Sequence, residues 1–140
     1  MTKGSYEIYN FGIKGDERGS LIAIEQGHNA PFEIKRVYYI FDTKDGVERG
    51  FHAHINLKQM CIVVKGSCIF VLDDGYKREE IKLDNPNQGL YIEGLIWREM
   101  KDFSKDCVLL VLASEHYDES DYIRNYDKFL EEVRNDSSIS

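Results

Sequence analysis

The sequence contains no apolar run near the roughly 20 residues that a membrane-spanning helix requires. Its first five residues contain no apolar signal core. Positive charge is also scarce, because 18 Lys and Arg stand against 25 Asp and Glu and give a net charge of −7. This balance argues against general nucleic-acid binding, although a local basic pocket for one phosphorylated ligand stays open. We therefore expect neither a membrane nor a nucleic acid as a partner.

Cysteine is the next scarce residue. Cys61, Cys68 and Cys107 each lie in an apolar run and show no paired spacing, which indicates buried free thiols and a reducing cytoplasm rather than disulfides or metal ligands. A chain of 140 residues can form one substantial core but not two comfortable ones. We expect one domain over residues 1–140 and a cytoplasmic location.

Short apolar and β-branched runs, separated by polar or glycine-containing turns, occupy most of the chain. A polar turn over 14–19 precedes a predicted strand at 20–25, and Asp73-Asp74-Gly75 is a strong hairpin signal. About ten such strands predict an antiparallel sandwich or barrel. Near the end, the apolar side chains between Tyr122 and Val133 fall at helical spacing and predict one amphipathic helix that begins near Ser120, with Asp118, Ser120 or Asp121 as its N-cap.

Two of the four histidines stand one residue apart in the segment 49–59. Alternate side chains of a β-strand point to opposite faces, so His52 and His54 share one face. Paired imidazoles typically bind a metal, transfer a proton or bind a phosphate. A pair of structural core histidines is the alternative, and it requires a buried hydrogen-bond partner for each ring.

His52, His54 and Gln59, with glycines before and after them, resemble the first motif of the cupin superfamily. That motif normally has a metal-binding glutamate at the Gln59 position, and a second motif normally supplies a histidine where this sequence has Arg98. An amide oxygen is a poorer ligand than a carboxylate, and a guanidinium cannot bind a cation. Two histidines alone make a weak site. We therefore predict no functional metal and no cofactor.

A wider set of stretches resembles one cupin family, the nucleotide-sugar 3,4-ketoisomerases of deoxysugar biosynthesis. Together the stretches span about residues 6–130. They are RGFHAH at 49–54, KGSC at 65–68, VLDDG at 71–75, GLYI at 89–92, WREM at 97–100 and LLVLASEHYDESDYIR at 109–124. The last stretch is the strongest match, and the ordered set is far more specific than a histidine pair.

The resemblance implies an all-β, cupin-type jelly-roll β-barrel with one C-terminal α-helix. It implies a metal-free isomerase that acts on a dTDP-linked 4-keto-6-deoxy sugar, dTDP-4-keto-6-deoxy-D-glucose. The enzyme would move the ketone from C4 to C3 and supply a dTDP-3-keto-6-deoxyhexose to a later aminotransferase, for a lipopolysaccharide or another surface glycan. It also implies a homodimer in which N-terminal strands, here near residues 6–11, are exchanged between subunits.

The residues suit this reaction on chemical grounds. A base must remove the C3 proton and an acid must protonate C4, and imidazole with a pKa near neutrality serves both purposes. We predict His52 as the base, with His54 carrying a proton between the sugar oxygens or fixing the tautomer of His52. The remaining candidates are Tyr38 as a further catalytic residue; Arg18, Arg49, Gln59, Arg98 and Arg124 for the enediolate or pyrophosphate; and Tyr39, Tyr91 and Tyr122 for the thymine.

Family members divide by the C4 stereochemistry of the product. As the resemblance implies, one subgroup pairs an early arginine with a histidine after the tryptophan, and the other pairs a tyrosine with an arginine. This sequence has Arg18 and Arg98, one feature of each, so galacto and gluco products both stay open. Other possible functions are a dTDP-sugar 3,5-epimerase-like cupin, a non-catalytic sugar-nucleotide-binding cupin and a metal-dependent cupin such as a dioxygenase.

Overall fold

The computed structural model describes the backbone of residues 3–139 and the side chains up to residue 135. Twelve strands and one helix follow in chain order: β1 (Ser5–Asn10), β2 (Lys14–Asp16), β3 (Gly19–Leu21), β4 (Arg36–Ile40), β5 (Arg49–His54), β6 (Gln59–Lys65), β7 (Cys68–Asp73), β8 (Arg78–Leu83), β9 (Gln88–Glu93), β10 (Trp97–Lys101), β11 (Val108–Ala113), β12 (Tyr122–Ile123) and α1 (Tyr126–Ile139). A 3₁₀ turn, Glu119–Asp121, precedes β12.

Ten of these strands form two five-stranded antiparallel sheets. The order in the first sheet is β1-β9-β6-β11-β4, and in the second it is β12-β5-β10-β7-β8, while β2 and β3 form a separate hairpin. The all-β jelly roll with a C-terminal helix is confirmed. Its closure into a barrel is not, because no strand pairing within residues 3–139 joins the two sheets. The fold is a sandwich in which side chains, rather than backbone hydrogen bonds, connect the layers.

The strict alternation of side chains along each strand positions the core. On β6, Cys61 and Val63 face the second sheet, while Met60 and Ile62 face outward. Residues after β3 cross this outer face and cover part of it. All three cysteines are buried and free, as predicted. Gln59 lies on the same inner face of β6, as the polar first residue of the row that continues with Cys61 and Val63.

Three local predictions need correction. The strand predicted at 20–25 ends at Leu21, because the following residues leave the hairpin and pack Ile22 and Ile24 on the first sheet. The predicted turn at 14–19 contains β2 itself. The helix predicted from Ser120 begins at Tyr126, since residues 122–123 pair with β5 instead. Sheet pairing satisfies that backbone better than a helical turn, despite the helical spacing of the side chains.

A bulge distorts β5 immediately before the histidines. Gly50 and Phe51 have φ of 90° and 58°, and the pairing with β10 shifts register between Arg98 and Glu99. A Cβ on Gly50 would lie 2.9 Å from the Arg98 carbonyl oxygen, so only glycine fits there without movement. Bulges of this kind often lie beside functional sites, where they redirect a side chain.

Candidate active site

The two histidines lie together on the inner face of β5. Their ring centroids are 4.8 Å apart and the rings meet edge to face. His54 is 1% exposed, whereas His52 is half-buried. The Tyr122 ring lies against both, at 4.9 Å from His52 and 4.3 Å from His54. The predicted shared face is therefore confirmed, and an aromatic ring from the neighbouring strand β12 fixes both imidazoles.

Arg98 faces these rings from the adjacent strand. It is the cross-strand neighbour of His52 and is 2% exposed. One terminal nitrogen donates to Gln59 Oε1 at 2.6 Å, and the other donates to the Ile96 carbonyl at 2.9 Å. Gln59 Nε2 in turn donates to the Tyr38 hydroxyl at 3.0 Å. A buried chain of hydrogen bonds thus links Tyr38 and Gln59 on the first sheet to Arg98 on the second.

The surroundings keep both imidazoles neutral. Burial, and then the Arg98 guanidinium, lower the pKa of His52 to about 4. The same two causes lower the pKa of His54 further, with a smaller contribution from His52. Burial raises the pKa of Tyr38 to about 12. The expectation of a base with a pKa near neutrality therefore needs correction for the unliganded protein, because the sequence does not show this burial.

His54 has one hydrogen-bond partner. Its Nδ1 lies 3.2 Å from Asp121 Oδ2. Because burial and nearby cations keep the imidazole neutral, this contact is a hydrogen bond rather than an ion pair. The other nitrogen of His54, and Nδ1 of His52, are buried and have no partner among the described residues. This differs from a structural histidine pair, in which each buried nitrogen is satisfied.

A cleft of about 570 Å³ opens at this end of the sandwich. Its lining includes His54, Asp121, Tyr122, Arg36 and Tyr117. His52 is not part of the lining, but it contacts His54 and Tyr122, which are. Buried nitrogen or oxygen atoms without a partner are few among the described side chains, and the histidine region holds most of them: Arg36 Nε, His52 Nδ1, His54 Nε2 and Arg98 Nε. Both donors and bare acceptors are therefore available for a polar ligand.

Of the other predicted residues, Arg124 and Tyr122 lie nearest the cleft. The Arg124 guanidinium stacks 4.2 Å from the centre of the Tyr122 ring and pairs with Glu119 at 2.7 Å. That pairing lowers the pKa of Glu119 to about 2 and raises the pKa of Arg124. Both side chains are about half exposed beside Tyr122, which lines the cleft, so Arg124 is accessible to an anion at the rim.

The remaining candidates lie elsewhere within this chain. Arg18 is in the β2–β3 hairpin, exposed and paired with Asp16 at 2.6 Å, and no contact among the described residues joins it to the cleft. Arg49 is exposed at the start of β5. Tyr91 stacks on Phe32 on the outer face of the first sheet, and Tyr39 is exposed on that same face. Neither tyrosine lines the histidine cleft.

The structure brings three residues to the site that the sequence does not assign to it: Asp121, Arg36 and Tyr117. The helical spacing predicts Asp121 as a possible N-cap, whereas its side chain holds His54. Arg36 lies over the rings of Tyr38 and Tyr117. Asp121 and Tyr117 both fall in the longest family-like stretch, 109–124. The density of matches in that stretch is the signal that could have found them.

Within the described residues, no group of three or more His, Cys, Asp or Glu side chains could hold a metal ion. Arg98 occupies the side of the histidine pair where a third ligand would be needed. Also among these residues, no helix is long and apolar enough to cross a membrane. The chemistry that this donor set can perform is proton transfer by neutral imidazoles beside a fixed cation.

Comparison with known proteins identifies the class. Residues 4–134 match the family described as "FdtA: WxcM-like, C-terminal". A TDP-4-oxo-6-deoxy-alpha-D-glucose-3,4-oxoisomerase from Aneurinibacillus thermoaerophilus is 57% identical over 123 residues, which cover 88% of each chain. The chain belongs to this family of cupin-like 3,4-ketoisomerases.

Solved structures agree. A 3,4-ketoisomerase from Helicobacter canadensis is 53% identical, with a TM-score of 0.90 over 92% of this chain and 97% of its own. A mutant of the 3,4-ketoisomerase QdtA from Thermoanaerobacterium thermosaccharolyticum, in complex with TDP-4-keto-6-deoxyglucose, is 45% identical. Its TM-score is 0.91 over 93% of this chain and 94% of its own. All three relatives are named as 3,4-ketoisomerases or oxoisomerases, and the QdtA mutant is bound to TDP-4-keto-6-deoxyglucose.

Proposed function

We propose that this protein is a sugar 3,4-ketoisomerase that converts dTDP-4-keto-6-deoxy-D-glucose to a dTDP-3-keto-6-deoxyhexose. The observation that carries the proposal is the pair of neutral imidazoles, His52 and His54, each with a buried nitrogen that has no partner among the described residues, beside the guanidinium of Arg98. The named activities of the relatives support it. The matched region, 4–134, also supports one catalytic domain over the chain.

The net reaction moves two hydrogens. One leaves C3 and one arrives at C4, while the O3 proton leaves and O4 gains a proton. His52 removes the C3 proton, because it is half-buried beside His54 and Tyr122, which line the cleft, and its lowered pKa keeps it neutral at pH 7. His52, then protonated, returns a proton to C4.

An enediolate forms between these steps, and its negative charge needs a fixed cation. Arg98 is suited to this role because Gln59 and the Ile96 carbonyl hold it rigidly in a buried site. Tyr38 supports the same arrangement through Gln59 and stays protonated, since burial raises its pKa to about 12. Arg124 at the rim is a candidate for the pyrophosphate, as is Arg49 at the start of β5.

The test is an NMR time course of dTDP-4-keto-6-deoxyglucose with the pure protein in deuterated buffer. We expect the carbonyl signal to move from C4 to C3 while C5 keeps its proton. His52→Asn serves as the matched control and should leave the substrate unchanged. Binding of dTDP without any exchange of sugar protons would contradict catalysis and favour a non-catalytic binding protein.

The same spectra separate the enzymatic alternatives. Deuterium at both C3 and C5, without movement of the ketone, would indicate a 3,5-epimerase instead. Loss of turnover in a chelator, with recovery in one specific divalent ion, would indicate a metal-dependent cupin. We expect chelator to have no effect. The Gln59 amide is a poorer metal ligand than a carboxylate, and the Arg98 guanidinium repels a metal ion.

We also propose that the protein works as a homodimer with exchanged N-terminal strands. β1 is an edge strand that pairs here with β9 of the same chain, so a partner's β1 can form the same register. Ile13, Leu21 and Val64 are about half exposed, and burying them favours association. Arg18 on the following hairpin would then move with the exchanged segment. A monomer by light scattering at micromolar concentration would contradict this.

The cellular setting follows from the same chemistry. Three free thiols fit a reducing cytoplasm. A 3-keto nucleotide sugar is a substrate for amination, and the amino sugar would then enter a lipopolysaccharide or another surface glycan. Product analysis with a 3-aminotransferase added to the reaction would test this order.

A further inference from the structure

Asp121 occupies an unusual position for a residue at a cleft. It ends the 3₁₀ turn Glu119–Asp121, directly before the short strand that pairs Tyr122 with His54. Its carboxylate points back under the end of β5 rather than into solvent. Oδ1 accepts a hydrogen bond from the backbone N–H of Asn56 at 2.8 Å, and Oδ2 accepts one from Leu57 at 3.3 Å. The Asp121 carbonyl also accepts from Ile55 at 3.1 Å.

These backbone contacts fix the carboxylate before it meets the histidine. With both oxygens held by N–H donors, Oδ2 lies 3.2 Å from His54 Nδ1. A carboxylate only accepts hydrogen bonds, so Nδ1 of His54 must carry the hydrogen. A neutral imidazole has one N–H, and Nε2 of His54 is therefore left as a bare acceptor. That atom is buried and has no partner among the described residues.

We propose that Asp121 is a positioning residue that holds His54 in the Nδ1–H tautomer, so that Nε2 can take a proton from the sugar. This inference rests on the proposed ketoisomerase function. It assigns His54 to proton transfer between the sugar oxygens, rather than to fixing the tautomer of His52. Nε2 takes the O3 proton, His54 becomes a cation balanced by Asp121, and the same proton is then given to O4. No oxidant, reductant or further reactant is needed.

The charge balance favours this sequence. His54 lies in a buried site where burial and Arg98 lower its pKa. A cationic His54 would be costly there without a nearby carboxylate. Asp121 supplies that carboxylate at hydrogen-bond distance, and the developing enediolate supplies a second negative charge. The cationic form of His54 is therefore short-lived, and it returns the proton readily.

The first test is direct and requires no substrate. Protein labelled with ¹⁵N-histidine is examined by long-range ¹H–¹⁵N NMR at pH 7, with signals assigned from single variants of each histidine. We expect His54 to show a protonated Nδ1 and a bare Nε2. A His54 with its proton on Nε2, or with both nitrogens protonated, would overturn the proposal. Because no substrate is present, this result does not depend on the proposed function.

The second test is Asp121→Asn. The amide group can donate to Nδ1, which would move the His54 proton to Nε2 and remove the acceptor. We expect kcat to fall about 100-fold or more with KM changed little, because the wrong tautomer binds substrate but cannot accept its proton. Retained kcat, or an unchanged His54 tautomer in the folded variant, would overturn the proposal.

Asp73→Asn is the matched control. Asp73 is more fully buried than Asp121 and likewise accepts a backbone N–H, from Gly75 at 2.7 Å, but it contacts neither histidine. We expect this variant to lose stability while it keeps both the His54 tautomer and kcat. Equal losses of kcat in both variants would show that Asp121 acts only through stability. A wild-type protein with the Nδ1–H tautomer but no turnover would instead contradict the ketoisomerase function and leave the tautomer assignment intact.

Discussion

Two polar clusters lie against opposite faces of the second sheet, one of them largely buried and the other with an exposed arginine. The histidine cluster consists of His52, His54 and Arg98 on the inner face, together with Gln59, which meets Arg98 from β6 of the first sheet. The helix-docking cluster consists of Asp73, Arg78 and Tyr126 on the outer face, where Asp73 Oδ2 accepts from the Tyr126 hydroxyl at 2.7 Å and from Arg78 Nε at 3.1 Å. Both clusters combine an arginine, an aromatic or imidazole ring and hydrogen-bonding side chains.

The clusters differ in how completely their polar atoms are satisfied. Three buried nitrogens of the histidine cluster, on His52, His54 and Arg98, have no partner in the part of the chain that the structure describes. No atom of the helix-docking cluster is left in this state within the described residues. An unsatisfied buried polar atom costs stability, so it persists where a ligand makes use of it. The outer cluster holds α1 to the sheet, and the inner one is prepared for a substrate.

Among the variants, His52→Asn should show the largest difference between its loss of turnover and its loss of stability. We expect turnover to fall about 10²- to 10⁴-fold, the usual effect of losing a general base. Stability should change little, because His52 is half-buried and forms few polar contacts. Steady-state kinetics and thermal melting measure the two effects. If the activity of the variant falls only in proportion to its folded fraction, the role of His52 is structural and not catalytic.

Asp73→Asn should show the opposite behaviour. Replacing this carboxylate weakens its bonds to Arg78 and Tyr126, and we expect a loss of about 1–3 kcal/mol in the free energy of unfolding. Turnover per folded molecule should be unchanged. Chemical denaturation and kinetics at a temperature well below the melting point measure the two quantities. A large fall in kcat would mean that the helix-docking cluster also supports the site.

The pH dependence of stability should also distinguish the histidine cluster, because it contains a histidine with a lowered pKa. The pKa of His52 is lowered to about 4 from 6.5, so between these values the unfolded chain binds a proton that the folded protein does not. Stability from this group is therefore present above pH 6.5 and is lost as the pH falls toward 4. We expect His52→Asn to have a shallower decline in melting temperature over this range than the wild type. Identical slopes would contradict the lowered pKa.

The smallest expected effect concerns the product. With features of both stereochemical subgroups, the wild-type enzyme should release measurable amounts of both C4 epimers. Arg98→His removes the fixed cation beside His52, and we expect the mixture to shift toward the galacto product. A difference of about 0.7 kcal/mol in activation free energy between protonation of the two faces of C4 changes the ratio of the epimers about threefold. NMR coupling at C4 measures it. One clean epimer in both proteins would show that stereochemistry is set elsewhere.

The sequence predicts most of the inner face of the histidine cluster because strands have a simple period. His52 and His54 must share a face, and the resemblance to the second cupin motif puts Arg98 at the position of a further ligand near them. The same rule does not predict burial, which depends on the opposing sheet. For this reason the low pKa of His52 and the hydrogen bonds from Gln59 to Tyr38 and Arg98 emerge only from the structure.

The sequence also does not predict contacts between distant parts of the chain. Asp121 lies 67 residues from His54 in sequence, and its role depends on β12 pairing with β5. The apolar spacing of residues 122–133 favours a helix that would place Asp121 at an N-cap. Long-range backbone pairing outweighs this local preference at Tyr122 and Ile123. The positive φ of Phe51 is likewise a result of the bulge and not of residue preference.

The strand β12 has only two residues. Residues 119–123 are therefore expected to have their own equilibrium between a docked and a detached form. Docking of residues 119–123 depends on few backbone bonds, among them Ile55 N–H to the Asp121 carbonyl. Such a segment can detach while the first sheet and the other four strands of the second stay folded. Detachment would leave β5 as an open edge and His54 without its acceptor, so the active fraction equals the docked fraction. Slow heating should therefore inactivate the enzyme before the sandwich melts, with amide exchange at Ile55 and Asn56 rising first.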